Sequence, residues 1–306
     1  MDDGIMKIQT ELGTAELKET LTEITIPGIS RDYTFVQITD LHIACHEDGD
    51  PDEAVELARS RNDFWSIQGA FFAYDDEGVE HRIMPVDACE LLAEHIRGMD
   101  NIDGVFFTGD TVDYPSAANF RRAKKLLDSL GKKCYIVPGN HDDVDDEAPD
   151  EIKAEFGNLM GSVPEYFAEE FDGFDIVGFS DGFVQVNERQ VKFLEDRLAL
   201  GRPMIVLLHA PIFTDAAREV VYPFWGYNWM VGDPGRPDGK QTPENFRFRE
   251  LLCSHRDKIR AVITGHVHMA SGDSRPPADG EVLQYTSAPA FTGYYRLIKV
   301  KGTPSE

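Results

Sequence analysis

Seven short apolar runs recur along the chain and constrain its fold more than any other feature. They lie at residues 33–39, 104–109, 134–139, 174–180, 204–209, 260–265 and 294–300. The runs are nearly continuous rather than alternating, which is typical of strands that are covered on both faces of a sheet. Helical patterns separate several of them, so we predict an α/β fold built in layers.

Three of the intervening segments have the apolar spacing of an amphipathic helix, together with suitable ends. Pro85 is suited to the first turn of the first helix. Ser116 is a suitable N-cap for the second, which we expect to stop near Gly131. Asn187 could cap the third, which we expect to stop near Gly201.

Two longer segments, residues 46–84 and 214–243, break this rhythm and are rich in Gly, Pro and acidic residues. Structureless stretches of this length in a compact domain are usually functional loops or lids. Because no linker divides the sequence, we predict a single domain over residues 1–306 with irregular insertions at these two places.

The chain has 306 residues, 55 of them acidic and 30 basic, and a formal net charge of -25. Such a surface repels nucleic acid and anionic membranes, so we expect neither tight nucleic-acid binding nor membrane association. No apolar run approaches the ~20 residues that span a bilayer, and the first residues lack an apolar signal core. The four cysteines form no C-x-x-C pair, which predicts reduced thiols and a cytoplasmic protein.

Five of the predicted strands end in aspartate, asparagine or histidine. The residues are Asp40 and His42, Asp110, Asn140 and His141, His209, and finally His266 and His268. In open α/β sheets the carboxyl ends of the strands converge on the ligand crevice. We therefore expect these side chains to meet in one small volume.

The types of these residues indicate what they hold. Imidazole, carboxylate and amide oxygen together suit divalent Mn, Fe or Zn. The ligands are too many for one tetrahedral centre, whereas two ions ~3.5–4 Å apart that share a carboxylate would accommodate them all. Glycines before three of the strand ends let the backbone turn sharply. We predict a centre of two divalent metal ions, with Asp110 as the bridging ligand.

The segments D-x-H, G-D-x-x-D, G-N-H-D, an isolated His after an apolar strand, and G-H-x-H occur in that order. They resemble the calcineurin-like metallophosphoesterases over about residues 33 to 270. The resemblance implies a four-layer α/β/β/α sandwich of two mixed sheets flanked by helices. In that fold we expect residues 22–27 to add an edge strand and residues 296–300 to close a sheet.

The resemblance also assigns the site residues by position. Asp40, His42, Asp110 and His268 would hold the first metal, and Asp110, Asn140, His209 and His266 the second. His141 would be the catalytic histidine near the leaving oxygen, and Asp113 the partner that orients it. The implied reaction is the hydrolysis of a phosphate ester by in-line attack of a hydroxide that bridges the two metals.

Differences between these motifs and those of related families narrow the range of substrates that we expect. Purple acid phosphatases carry a tyrosine ligand where this chain has Asp113. Phosphoprotein phosphatases have Arg-Gly in place of Tyr114 and Pro115, and the missing arginine removes a clamp for a terminal phosphate dianion. The chain is more similar to bacterial cyclic-nucleotide and glycerophosphodiester phosphodiesterases, which share D-x-H and G-N-H-D. We therefore expect a phosphodiesterase that acts on a small phosphorylated molecule or nucleotide.

The aromatic run at residues 222–230 has two interpretations. It is either a packed loop with a small core of its own or a wall over the site. In the second case Trp225, Tyr227 or Trp229 would stack on a base, sugar or lipid moiety of the substrate.

Three other functions stay open. The first is a phosphomonoesterase that acts on a small metabolite or nucleotide. The second is a non-catalytic scaffold, as the retromer subunit of the family is; scaffold relatives tend to lose ligands, whereas every ligand position is filled here. The third is a nuclease, against which the acidic surface argues.

Overall fold

The computed structural model of the chain describes residues 4–161, 165–227, 229–235, 241–272 and 280–303. In chain order its elements are β1 (Gly4–Thr10), β2 (Gly13–Pro27), β3 (Tyr33–Ile38), α1 (Asp52–Gln68), β4 (Phe71–Tyr74), β5 (Glu80–Ile83), α2 (Pro85–Arg97), β6 (Gly104–Thr108), α3 (Ala117–Ser129), β7 (Cys134–Val137), α4 (Asp150–Met160), β8 (Tyr166–Phe171), β9 (Phe174–Phe179), α5 (Glu188–Ala199), β10 (Met204–Leu207), α6 (Asp215–Trp225), α7 (Pro243–Ser254), β11 (Ile259–Thr264), β12 (Gln284–Thr286), a 3-10 turn (Ala290–Thr292) and β13 (Tyr294–Thr303). All seven apolar runs form strands, as predicted.

The larger sheet has eight strands in the order β5-β4-β2-β13-β3-β6-β7, and β1 pairs with β2 outside that path. Strands β3, β6 and β7 are parallel. One expectation about this sheet is wrong, because residues 296–300 lie in β13, in the middle of the sheet between β2 and β3. Residues 22–27 form the end of the long strand β2. They pair with β13 on one side, whereas the other described partners of β2 pair with residues 13–19, so this part of β2 is an edge, as expected.

The smaller sheet has five strands in the order β12-β11-β10-β9-β8. Strands β9 to β12 are parallel, whereas β8 runs antiparallel to β9 at one edge. Both sheets are therefore mixed, as the resemblance implied.

The two sheets pack face to face, and helices cover their outer faces. Phe35 and Phe106 of the larger sheet share one buried cluster with Ile205 and Ile263 of the smaller sheet. A second cluster joins the larger sheet to helices α1 to α4, and a third joins the smaller sheet to α5 and α7. This arrangement confirms the four-layer α/β/β/α sandwich.

The three predicted helices form and begin where the sequence indicates. Pro85 occupies the first turn of α2. The Ser116 side chain accepts a hydrogen bond from the Asn119 amide at the start of α3. Asn187 and Gln190 form a reciprocal capping box at the start of α5.

Within the described ranges, no helix combines the length and the apolar character that crossing a bilayer requires.

The two segments predicted to be irregular contain regular structure. Residues 46–84 hold α1 and the β4–β5 hairpin, and residues 214–243 hold α6 and the start of α7, although residues 228 and 236–240 lie outside the described part of the chain. The pattern of α1 is weak because it buries only Ala58, Trp65 and Ser66. Its acidic first turn after Pro51 was the available signal for a helix start.

Candidate metal centre

The carboxyl ends of β3, β6, β7, β10 and β11 meet at one end of the sandwich. The Asp40 amide donates to the Gly109 carbonyl at 2.9 Å, and the Gly265 amide donates to the His209 carbonyl at 2.8 Å. The Asp40 carboxylate accepts a hydrogen bond from the His266 amide at 3.0 Å, which joins the loops of the two sheets. The strand ends therefore bring distant parts of the sequence into one small volume.

The backbone at these strand ends is left-handed. The residues with a φ between 48° and 70° include Asp40, His42, Asp110, His266 and His268. Outside glycine, this region is sparsely populated, and Asn, Asp and His tolerate it best. Such strain persists where the surrounding structure fixes it, and it concentrates at functional sites.

The first group of candidate ligands consists of Asp40, His42 and His268. His268 Nε2 lies 3.2 Å from Asp40 Oδ1, and His42 Nε2 lies 3.9 Å from the same oxygen. The Nε2 atoms of the two histidines are 3.1 Å apart. Three donor atoms therefore face one another in a buried pocket, at the separations that ligands of one cation have.

The second group consists of Asp110, His209 and His266. His209 Nε2 lies 3.2 Å from Asp110 Oδ2 and 3.1 Å from His266 Nδ1. In the described part of the chain, the buried Asn140 Oδ1 and His266 Nε2 have no hydrogen-bond partner. A buried amide oxygen without a partner is costly, and a cation would satisfy it.

Asp110 lies between the two groups. Its Oδ2 is 3.2 Å from His209 Nε2 in the second group and 3.7 Å from His42 Nε2 in the first. Its Oδ1 accepts a hydrogen bond from the His141 amide at 2.8 Å. This carboxylate has the position that a ligand shared between two cations requires.

The tautomers of two histidines are suited to metal binding. His42 Nδ1 lies 3.2 Å from the Asp113 carboxylate, and His209 Nδ1 lies 2.8 Å from the Thr108 carbonyl. Each acceptor favours a proton on Nδ1, so in the neutral ring Nε2 presents its lone pair to the cluster. The residues therefore fit a pair of divalent cations.

Burial and charge together set the protonation of the cluster. Burial favours a higher pKa for Asp110, but the charge of His209 outweighs it and holds the pKa of the carboxyl well below its usual range. Burial, with the neighbouring His209, lowers the pKa of His266 to about 3. Burial alone would lower the pKa of His209, but the Asp110 charge raises it to about 10. In the metal-free protein, therefore, His209 is protonated and His266 is neutral, and a cation that binds this group would replace the proton on His209.

Asp113 and His141 lie next to the first group. His141 Nδ1 is 2.6 Å from the Asp113 backbone carbonyl but 3.6 Å from its carboxylate. The structure thus places the backbone of Asp113, rather than its side chain, in the orienting position that the sequence analysis gave to the carboxylate. The His141 side chain is about 29% exposed, so a substrate could reach it.

The family model for calcineurin-like phosphoesterases matches residues 33–270. The chain belongs to this family. No curated protein sequence matches it significantly.

Solved structures with the same fold include a purple acid phosphatase from yellow lupin (Lupinus luteus) seeds. It is 13% identical with a TM-score of 0.50, and the match covers 92% of this chain and 46% of that one. A 5'-nucleotidase precursor from Thermus thermophilus is also 13% identical, with a TM-score of 0.43 and coverage of 88% and 54%. The chain thus spans about half the length of these proteins. At this identity the likeness to the lupin enzyme shows the fold alone.

Two buried aspartates that were not assigned a role support the loops that carry the candidate ligands. Asp142 accepts hydrogen bonds from the amides of Val112 and Gly139, both at 2.9 Å, and so ties the loop after β6 to the loop after β7. Asp181 accepts from the Ala210 amide at 2.7 Å, next to His209. Burial raises the pKa of Asp142 to about 6, with the Asp110 charge as the second cause.

Sequence reasoning missed the contribution of α1 to the site. Arg61 and Trp65 both donate hydrogen bonds to the Asp113 carboxylate. His42, Asp113 and His141 form a third group of side chains with metal-ligand spacing. The two donors from α1 already occupy the Asp113 carboxylate, and the positive charge of Arg61 opposes the binding of a cation by this third group.

The structure brings two of the three predicted aromatic residues next to the candidate ligands. The Trp229 ring centroid lies 5.4 Å from that of His266, and the Trp225 centroid lies 6.1 Å from that of His268. Trp225 Nε1 donates to the Val267 carbonyl at 2.9 Å, which fixes the ring beside the ligand loop. Tyr227 packs on Tyr222 instead, with ring centroids 4.9 Å apart.

Proposed function

We propose that the chain is a binuclear metal-dependent phosphoesterase, with a phosphodiester of a small molecule or nucleotide as its favoured substrate. One observation supports this most strongly. A single oxygen of Asp110 lies within 3.7 Å of one group of ligand-type side chains and within 3.2 Å of another. A carboxylate shared in this way is characteristic of two-metal hydrolytic sites.

In this proposal Asp40, His42, Asp110 and His268 hold the first metal, and Asp110, Asn140, His209 and His266 hold the second. Manganese, iron and zinc all suit this mixture of imidazole, carboxylate and amide ligands. Bound cations would activate a water for attack on phosphorus and offset the charge that develops on the phosphoryl oxygens.

The other residues of the site orient the substrate and move protons. The hydrogen bond from His141 Nδ1 to the Asp113 carbonyl leaves Nε2 as the ring atom available to the substrate. We assign that atom to protonation or stabilisation of the leaving oxygen. Trp225 and Trp229 form a wall beside the metal ligands, on which a flat or apolar leaving group would stack. The position of Tyr227 gives less support to a substrate contact.

The preference for a diester rests on the side chains around Asp113. Tyr114 and Pro115 occupy the positions where an arginine clamp for a phosphate dianion would follow. Arg61 lies nearby but donates to the Asp113 carboxylate. A phosphodiester carries one negative charge fewer than a monoester dianion, so it requires less cationic compensation from the protein.

We also propose a single domain and a cytoplasmic location. Strands β2 and β13 lie outside the residues matched by the family model, yet they pair inside the larger sheet, which supports one domain. The four cysteines are free thiols, which supports a reducing compartment.

The net charge of -25 supports a small phosphorylated substrate rather than nucleic acid.

The proposal is tested by elemental analysis of the purified protein, together with hydrolysis of bis-nitrophenyl and mono-nitrophenyl phosphate. We expect about two metals per chain, faster hydrolysis of the diester, and the loss of both properties in Asp110→Ala. Asp76→Ala, an exposed turn residue, is the matched control and should behave as wild type. If the protein holds two metals but hydrolyses the monoester faster, it is a phosphatase rather than a phosphodiesterase. A protein without metal or activity after addition of Mn²⁺ would refute the proposal.

A further inference from the structure

Helix α1 presents two side chains to the metal centre. Arg61 and Trp65 are four residues apart and therefore lie on the same face of the helix. Arg61 donates to both oxygens of the Asp113 carboxylate, with Nη2 at 3.0 Å from Oδ1. Trp65 Nε1 donates to the same Oδ1 at 2.6 Å. Both residues thus converge on one buried carboxylate.

That carboxylate is also the partner of His42. Asp113 Oδ1 lies 3.2 Å from His42 Nδ1, on the side of the ring opposite the atom that faces Asp40 and His268. A carboxylate in this position fixes the tautomer and the direction of a ligand histidine. Because Asp113 is 2% exposed, protein donors rather than water must balance its charge.

Trp65 also holds the His42 ring by direct contact. The two rings stack with centroids 4.0 Å apart and an interplanar angle of 29°. The ring of Phe291, in the 3-10 turn, meets the same imidazole nearly edge-on, with the ring centroids 5.8 Å apart. Asp113, Trp65 and Phe291 therefore restrict both the tilt and the rotation of the His42 ring.

The helix itself is firmly attached to the fold. Asn62 Nδ2 donates to the Ala44 carbonyl at 2.6 Å, two residues after His42. At Gly69, which follows α1, a Cβ atom would lie 2.7 Å from Phe291 Cε2 and 2.6 Å from Thr292 Cγ2. The hydrogen bond of Asn62 and the close packing at Gly69 hold α1 with its inner face towards the candidate metal centre.

We propose that Arg61 and Trp65 are positioning residues for the first metal site. They hold the Asp113 carboxylate against Nδ1 of His42, so that Nε2 of His42 points at the cation. The inference rests on the proposed two-metal centre and extends it to a helix that no sequence motif includes. It predicts a selective effect, since the second group of ligands makes none of these contacts with α1 in the described residues.

The test is calorimetric titration of the metal-free protein with Mn²⁺. Wild type should bind two ions. In Arg61→Ala the dissociation constant of one site should rise by about 10- to 100-fold, the range found when a supporting partner of a metal ligand is removed. The other site should keep its affinity. Trp65→Phe, which keeps a stacking ring and removes the N–H donor, should weaken the same site by a smaller factor.

Arg59→Ala is the matched control, because Arg59 is an exposed arginine of the same helix that pairs only with Glu56 among the described residues. It should bind both ions as wild type does. If Arg61→Ala fails to fold, Trp65→Phe decides the question. Two unchanged sites in both variants would overturn the inference, and so would an equal loss at both sites with a lower unfolding temperature of the metal-free protein. A wild type that binds no Mn²⁺ would instead refute the proposed metal centre.

Discussion

At the scale of single residues, the candidate ligands satisfy two constraints at once. Asp40, Asp110 and His266 supply oxygen or nitrogen donors, and they also adopt a left-handed backbone, with φ of 52°, 51° and 70°. Few other side chains tolerate that conformation. Substitution at these positions therefore costs stability as well as metal affinity, so metal content has to be measured separately from folding.

His141 allows the chemical role to be separated from metal binding. We expect His141→Ala to lower kcat by ~10²–10⁴, the contribution typical of a general acid, while both metals stay bound. Elemental analysis and steady-state hydrolysis of bis-nitrophenyl phosphate on the same preparation check this. Loss of a metal from the variant would show that His141 is a ligand and that its assignment as a proton donor is wrong.

At the scale of the strand and its following loop, glycine allows the ligand loops to approach one another. A Cβ atom on Gly265 would lie 1.9 Å from Thr39 Oγ1 and 2.4 Å from Asp40 Oδ2. On Gly139 it would lie 2.2 Å from Asp110 Oδ1. Each glycine thus leaves room for a ligand from a different strand, which explains their place in the motifs better than turn geometry alone.

Gly265→Ala should therefore displace Asp40. We expect a cost of about 1–3 kcal/mol in the free energy of unfolding, as for other overpacked sites, together with weaker binding of the first metal. Urea unfolding and Mn²⁺ titration measure the two effects.

Gly157→Ala is the control for this substitution. Gly157 lies within α4, and its Cβ would have no described neighbour within 4 Å. Removal of a helical glycine should raise stability by ~0.5–1 kcal/mol and leave metal binding unchanged. If Gly265→Ala matched wild type in both measurements, close packing at this position would not be required.

At the scale of the whole molecule, the candidate metal centre lies where the two sheets meet. Three of the strands that bring ligands to it belong to the larger sheet and two to the smaller one. Buried carboxylates concentrate negative charge at that junction, in a chain whose net charge is already -25. Bound cations should therefore stabilise the sandwich as well as serve catalysis.

Removal of metal should lower the unfolding temperature. A site that binds only the folded state adds ~2.7 kcal/mol when the free ion is at a hundred times its dissociation constant. We expect chelation to abolish this gain and Mn²⁺ to restore it, as measured by thermal unfolding at constant ionic strength. Asp110→Ala controls for general screening of the acidic surface. An equal response of that variant to Mn²⁺ would locate the stabilisation outside the proposed centre.

The sequence alone determined the strands formed by the seven apolar runs and the candidate ligands that follow five of them, because both leave local signals. A strand covered on both faces must be continuously apolar, as "GVFFT" is in β6. A ligand at the end of such a strand interrupts that run with a polar residue, so Asp110 and His209 could be identified without any knowledge of the fold. The helix caps at Ser116 and Asn187 are local signals of the same kind.

Only the tertiary structure decided what surrounds those ligands. Residues 61 and 113 are 52 positions apart, and no pattern within α1 indicates that its inner face makes polar contacts. Helix α1 gave only a weak helical pattern because it buries few residues, whereas in the structure it brings an arginine and a tryptophan to Asp113. The position of strand β13 between β2 and β3 could not be predicted either, because strand order depends on long-range pairing that no short segment specifies.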